Sequence, residues 1–263
     1  MCLSSAGATA QDLKVVTRLS SRDANTDRWQ PVARSLTVFH GGKTYDWVET
    51  VSEVVIHEPA QGQFVILSLN GNKVATTVPY AELLNYLKVA RAETVKYIDE
   101  LQSQPRLASQ RSLEALAFQL DPQFQEAFDR GTARLRLSSE FIHYDVETAA
   151  VERPRVLEQY LLWADWTARL NYVLHPQAVM PDVRLALNQA LREHKRLPTQ
   201  VSLTRTIDDE HLRAEHTFGW ELRSFDRESI AKWEKTRAAE DLRWVDLREY
   251  QQILVTATNR SRR

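Results

Sequence analysis

Ser35-Leu36-Thr37-Val38-Phe39-His40, then Gly41-Gly42, then Lys43-Thr44-Tyr45-Asp46-Trp47-Val48-Glu49: this stretch decides the fold. β-Branched and aromatic residues flank a glycine pair in which both positions can take positive φ, as a tight hairpin requires. Val54-Val55-Ile56-His57 reads as the next strand, and Glu58-Pro59-Ala60-Gln61-Gly62 as a turn. Phe64-Val65-Ile66-Leu67 is apolar at every position, the pattern of a strand covered on both faces. Asn70-Gly71 is a second hairpin signal, and Lys73 to Val78 completes an antiparallel meander running from Leu36 to Val78.

A meander of this kind must be covered on at least one face. Pro79 opens a segment, reaching to Gln104, that has no Gly and no further Pro. Leu84, Leu87, Val95, Ile98 and Leu101 recur along it at roughly helical spacing. Upstream, Asp12 to Ser20 alternates as a first strand, then a polar loop over Ser21 to Asp27 leads into Trp29-Gln30-Pro31. Downstream, Pro105 breaks the long helix, and Leu113 to Leu120 begins a second, ended by Asp121-Pro122. Phe124 to Asp129 is a candidate strand. Two half-exposed strands follow, with Ala133, Leu135 and Leu137, then Ile142, Tyr144 and Val146, pointing inward.

Pro154 to Leu174 is apolar nearly all round and is expected to be a buried helix ended by Pro176. Pro181-Asp182 starts another, with Val183, Leu185, Leu187 and Leu191 apolar. Pro198 precedes two more strands. Val201 and Leu203 mark the first. Leu212, Ala214, His216, Phe218, Trp220 and Leu222 form one face of the second. Asp226 is a candidate cap for a C-terminal helix. The expected class is α+β: a single curved antiparallel sheet, unclosed and barrel-like, with helices on its concave face. Residues 11–258 are expected to form one domain. Residues 1–10 read as a signal-peptide remnant or disordered tail, and 259–263 as a disordered basic tail.

The 263 residues are 43% hydrophobic and 26% charged, with a net charge of −1. That balance implies no general attraction to nucleic acid or anionic membrane. No apolar run reaches the roughly 18 residues of a transmembrane helix, so no integral membrane segment is expected. Cys2 is the single cysteine, which excludes an internal disulfide and a cysteine metal cluster. Ala8-Thr9-Ala10 ahead of Gln11-Asp12 has the small-x-small form of a signal-peptidase site, so a periplasmic or otherwise exported protein is expected. If Met1 is the true start, the protein stays in the cytoplasm.

Catalytic signatures are weak. Gly42-Lys43-Thr44 ends like a phosphate loop, but Thr37 stands where that pattern needs Gly, and a hairpin turn is the expectation. Asp208-Asp209-Glu210-His211 with Glu215 and His216 has metal-binding residue types, but on a strand these side chains do not converge. No metal and no cofactor is expected, nor is any catalytic residue assigned. The seven tryptophans are more suggestive. Trp47, Trp163, Trp166 and Trp220 lie in apolar rows of different elements. Such rings either fill a solid core or line an apolar cavity.

The phrase His40-Gly41-Gly42-Lys43-Thr44-Tyr45-Asp46-Trp47 resembles a hairpin of the periplasmic lipoprotein-carrier (LolA/LolB-like) superfamily, with His40 where that hairpin is acidic. Val54-Val55-Ile56-His57-Glu58-Pro59 through Gln63-Phe64-Val65-Ile66-Leu67 resembles the strand pair that follows. The likeness extends from about Leu13 to Val78, and beyond that in the order of elements. It implies an unclosed barrel with helices in its concave side and acyl chains bound there. The ligand-binding candidates are Trp47, Trp163, Trp166 and Trp220. The expected protein is exported and non-enzymatic, and its partner is an apolar small molecule, lipid or lipidated protein. The alternatives are an interaction or structural module with a solid core, and a hydrolase whose site carries no recognised motif.

Overall fold

The computed structural model describes residues 12–23, 26–71, 73–104, 109–175 and 178–253. Ala8-Thr9-Ala10, Cys2, the helix-breaking Pro105 and Pro176 and the basic tail lie outside them. In chain order the first strands are β1 (Leu13–Arg22), β2 (Trp29–His40), β3 (Lys43–Val48), β4 (Glu53–Glu58), β5 (Gln63–Ser68) and β6 (Val74–Pro79). Helices α1 (Tyr80–Gln102) and α2 (Gln110–Leu120) follow, then β7 (Gln125–Asp129), β8 (Arg134–Ser138) and β9 (Ile142–Ala150). The chain continues with α3 (Pro154–Leu174), α4 (Pro181–Glu193), β10 (Arg196–Arg205), β11 (Glu210–Gly219), α5 (Ser224–Arg237) and β12 (Arg243–Trp244). The fold is α+β. Its twelve-stranded, mostly antiparallel sheet is not closed into a barrel. The strand order is β12-β6-β5-β4-β3-β2-β1-β11-β10-β9-β8-β7.

The chain sorts into two compact units. Among the described residues the first comprises 12–16, 34–71, 73–79 and 218–253, and the second 17–23, 26–33, 80–104, 109–175 and 178–217. In the first, β2 to β6 form the expected meander. Gly41 and Gly42 take φ of 59° and 77°, and His40 pairs with Lys43 across them, so this is a two-residue turn. The Asn70-Gly71 turn is wider. β5 ends at Ser68 and β6 begins at Val74, with Ser68 Oγ donating to Asn70 Oδ1 at 2.6 Å.

One face of this meander is apolar. Val38, Tyr45, Val54, Ile56, Val65, Leu67 and Ala75 form a core with Ile230 and Trp233 of α5 and with Leu242. Phe64 to Leu67 is buried at every position, as its unbroken apolar run required. α5 is held at both ends. Near its start, Asp226 accepts from the Arg223 backbone N–H at 2.8 Å and from Lys14 Nζ at 2.7 Å. Asp226 caps α5 from within the first turn, as the acidic member of a capping box whose N-cap residue is Arg223. Near its C-terminal end, Arg237 reaches the buried Glu58.

In the second unit α3 packs on α4 and α1, α1 on α2, and α4 on α2 and β10. Val156, Leu157, Tyr160, Leu161, Leu170 and Val173 of α3 are buried, and so are Val183, Leu187 and Leu191 of α4. Leu135, Leu137, Ile142, Tyr144 and Val146 supply the inward face of β8 and β9.

Several local expectations are corrected. β2 begins at Trp29, not at Ser35. Four exposed residues open it, so no alternation betrays it. Ala133 sits in the turn before β8 at φ 55° and not on the strand's inner face. Pro198 lies within β10, at an irregularity where the pairing with β9 shifts register. β11 stops at Gly219, so Trp220 and Leu222 are beyond its end. The short β12, parallel to β6, gave no sequence signal because it is two residues long.

Candidate functional site

The longest helix of the second unit carries the unusual surface. α1 meets its neighbours through a narrow seam at Leu83, Leu87, Ala90, Thr94, Ile98 and Leu101, spaced 4-3-4-4-3. Only Leu83, Ile98 and Leu101 in that seam are fully buried. Leu84 and Val95, expected in the buried stripe, instead stand exposed, because Leu84 lies one position, or about 100°, round from Leu83. Tyr86, Val89 and Tyr97 are exposed on the other flank. All five are 45 to 54% exposed, where a soluble helix ordinarily carries polar side chains.

α1 is anchored at its first residue and near its middle. The Tyr80 ring stacks on Trp166 of α3, with centroids 3.5 Å apart and planes at 11°. Burial pushes the Tyr80 hydroxyl up to about 12. The Arg169 guanidinium lies 5.1 Å from the Trp166 ring on the same helix, a cation–π contact. Farther along, Arg91 donates to Asp182 of α4 at 3.0 Å and also to the Leu120 carbonyl.

α3 and α4 are joined by a polar relay. Asn188, fully buried, donates to Asp165 Oδ1 at 2.8 Å and accepts from Arg184 Nε at 3.0 Å. Arg192 holds the other oxygen of Asp165 at 3.0 Å and reaches Glu158 at 3.2 Å. A buried amide between an acid and a guanidinium has its orientation fixed by both partners.

The four candidate tryptophans are divided between the units. Trp163 and Trp166 lie three residues apart on α3, both half-buried, and Tyr160 packs against Trp163 with centroids 5.6 Å apart. Trp47 belongs to the first unit, half-buried against the α5 core. Trp220 also belongs there, 47% exposed and stacked on Phe218 at 6.2 Å. An open cleft of about 570 Å³ in that unit is lined by Lys73, Lys232, Lys235, Asp241 and Leu242 and by none of the four tryptophans. Tyr80, exposed α1 and the relay were not singled out from sequence. The one available signal was the run of large apolar residues lying outside the helix's best single stripe.

The first unit also has a polar inner layer, opposite the α5 core. The register aligns Thr37, Asp46, Val55, Ile66 and Thr76 in one row, and Phe39, Thr44, His57, Phe64 and Val78 in the next. Burial pushes the Asp46 carboxyl up to about 6, partly offset by hydrogen bonds from Thr37 and Ser35. Burial also raises Glu53, which accepts from the Tyr250 hydroxyl at 2.7 Å. It lowers His57 to about 4, and that ring stacks on Phe64. Thr76 Oγ1 is buried without a hydrogen-bond partner among the described residues. Asp46 is held by Thr37 within the layer and Glu53 by Tyr250 outside it, so these titratable groups belong to a pH-sensitive core.

Among the described residues no group of three or more His, Cys, Asp or Glu side chains could hold a metal ion. The acidic turn before β11 resolves into pairs: Arg205 with Asp208 and Glu210, and His211 with Asp209 and Thr204. Lys43, the lysine of the phosphate-loop-like triplet, bonds Glu58 and Glu234. No helix among the described residues is long and apolar enough to cross a membrane. No family model matches the chain, and no curated protein matches it.

Proposed function

We propose that this is a non-enzymatic binding protein for an apolar ligand, a lipid or the acyl group of a lipoprotein, taken on the helical side of its second unit. The observation that carries this is α1. Five large apolar side chains stand half-exposed on a helix fixed by Tyr80–Trp166 stacking and by Arg91–Asp182. A rigid exposed apolar surface on a folded protein marks a binding surface. We also propose export, on the pattern Ala8-Thr9-Ala10.

Burying a twelve-carbon chain is worth about 9 kcal/mol at about 0.8 kcal/mol per methylene. Association costs of at least about 4 kcal/mol leave about 5 kcal/mol, a dissociation constant of order 0.1 mM. Trp166 is a built-in reporter, because its stacking partner is the first residue of α1. Titration with a dodecyl amphiphile is expected to change tryptophan emission saturably, and Trp166→Phe to remove most of the change. Absence of any saturable change would defeat the proposal.

A second function, an interaction module with a solid interior, is favoured by one observation: the apolar residues of α1 flank its seam on both sides. In that case a partner protein, not an amphiphile, covers α1. Leu84→Glu with Tyr97→Glu would then abolish a protein complex while the chain shows no affinity for lipids.

A further inference from the structure

We propose that the open cleft at the C-terminal end of α5 binds a phosphate monoester, whose phosphate is held by Lys232 and Lys235. The site lies in the first unit and is independent of the apolar ligand proposed for the second.

The cleft is built from three short pieces of chain. Lys232, Lys235 and Thr236 are spaced i, i+3, i+4, so they share one face of α5 and line the cleft together. Ile230, Trp233 and Arg237 point away from that face, into the core and onto Glu58. The turn after α5 supplies the second piece. Its Ala238 N–H donates to the Glu234 carbonyl at 3.0 Å and its Leu242 N–H to the Ala239 carbonyl at 3.1 Å. Leu242 is itself buried in the α5 core. Lys73, just before β6, is the third piece. Its carbonyl accepts from the Arg243 N–H at 2.8 Å, and its amine is paired with Asp241. Hydrogen bonds therefore fix the main chain around the cleft before any ligand arrives. Its volume of about 570 Å³ lies within the span of about 300–1,000 Å³ usual for small-ligand sites.

The charge of the lining selects the ligand. Of the four cations on α5, Arg227 is paired with Asp12 and Arg237 with Glu58. The other two, Lys232 and Lys235, have no carboxylate partner among the described residues, and both line the cleft. Lys73 is matched by Asp241, which leaves two lysines against the single acid Glu240. Lysine is a compact point charge that suits a phosphate, whereas a planar carboxylate is best met by the fork of an arginine. A phosphate monoester carries about −1.5 to −2 charge at neutral pH and three acceptor oxygens, enough to meet two amines at once. No aromatic residue lines the cleft, so no ring is offered for a nucleobase to stack on. The uncharged wall is Ala238, Ala239 and Leu242 with the lysine stems. That wall suits a phosphate carried on a sugar or glycerol rather than on a nucleoside.

Glucose 6-phosphate presents this group in solution, and phosphatidate in phosphatidylcholine vesicles presents it on a lipid surface. With the full chain labelled with nitrogen-15, the amide signals of Lys235 to Leu242 are followed during titration with glucose 6-phosphate, glucose 6-sulfate and glucose. A saturable shift is expected with the phosphate, a several-fold weaker one with the singly charged sulfate, and none with glucose. Lys232→Gln with Lys235→Gln should weaken phosphate binding at least about tenfold. Glu240→Gln should tighten it about twofold or more, a gain that a damaged fold cannot mimic. Arg227→Gln removes the same charge from α5 outside the cleft and should leave the affinity unchanged. Flotation with phosphatidate vesicles but not with phosphatidylcholine alone, lost in the double lysine variant, identifies a lipid as the source of the group; glucose 6-phosphate binding without flotation identifies a soluble ester. The proposal is overturned if neither probe binds, if sulfate and phosphate bind equally, or if Arg227→Gln weakens binding as much as the lysine pair does. None of these results bears on the amphiphile titrations of the second unit.

Discussion

Arg237 of α5 donates to both carboxylate oxygens of Glu58, at 2.6 and 3.0 Å, and Glu58 is 2% exposed at its side chain. Glu58 ends β4 and Arg237 ends α5, so the fork fastens the helix to the meander across 179 residues of chain. Gln63 at 2.8 Å and Lys43 at 3.0 Å complete the shell, and Lys43 continues to Glu234, which also receives the Tyr45 hydroxyl. Burial opposes ionisation of Glu58, but these hydrogen bonds together hold its carboxyl down at about 2.

Glu58→Gln should therefore cost about 3–5 kcal/mol, because it leaves a partly buried cation without its partner. The pH dependence follows from the direction of the shift. A carboxyl at about 2 in the folded state and 4.5 when unfolded stabilises the fold above pH 4.5. That contribution is lost as pH falls from 4.5 toward 2. In denaturant melts the gap between the two proteins should narrow as pH falls from 4.5 to 3; a constant gap would contradict the assignment.

Asp46 should behave in the opposite sense. Burial raises its folded carboxyl to about 6 from 3.8, so ionisation destabilises the fold. The relative stability is full below pH 3.8 and lost as pH rises through 6. Asp46→Asn keeps an oxygen to accept from Thr37 Oγ1, now at 2.7 Å. It should raise the melting temperature at pH 7 and have little effect at pH 4. A drop at pH 7 would mean that the ionised carboxylate is held by partners stronger than Thr37 and Ser35.

Leu161 on α3 is 0% exposed. Leu161→Ala should cost about 2–5 kcal/mol, the range for emptying a leucine-sized core site. A loss under about 1 kcal/mol by chemical denaturation would show that the site is not packed as described.

Gly42 holds φ 77°, and no atom lies within 4 Å of where a Cβ would stand, so sterics against neighbours play no part in its need for glycine. Gly42→Ala should cost about 1–2 kcal/mol through backbone conformation alone. Gly42→Asn should recover part of that loss, since Asn tolerates the left-handed region. Chemical denaturation of the two variants beside the parent protein checks the order.

The meander was legible because two independent signals agreed: turn residues at Gly41-Gly42 and an unbroken apolar run at Phe64 to Leu67. α3 was legible from end to end because Pro154 opens it and its apolar residues run nearly all round. β2 before Ser35 was not, since exposed strands carry no alternation. The α1 stripe is right at Leu87, Ile98 and Leu101 but one position off at Leu84 and Val95, because a helix with several apolar stripes does not declare which one is buried. Trp163 and Trp166 were legible as a pair, but their partners were not: Tyr80 is 86 residues from Trp166 in sequence.

The most direct test of the proposed function is affinity against chain length. Saturated carboxylates of eight to fourteen carbons, titrated by tryptophan fluorescence, should tighten about fourfold for each added methylene, since about 0.8 kcal/mol is gained each time. A saturable signal with that slope, lost in Leu84→Glu, is the predicted result. No saturable signal, or an affinity independent of chain length, would contradict it.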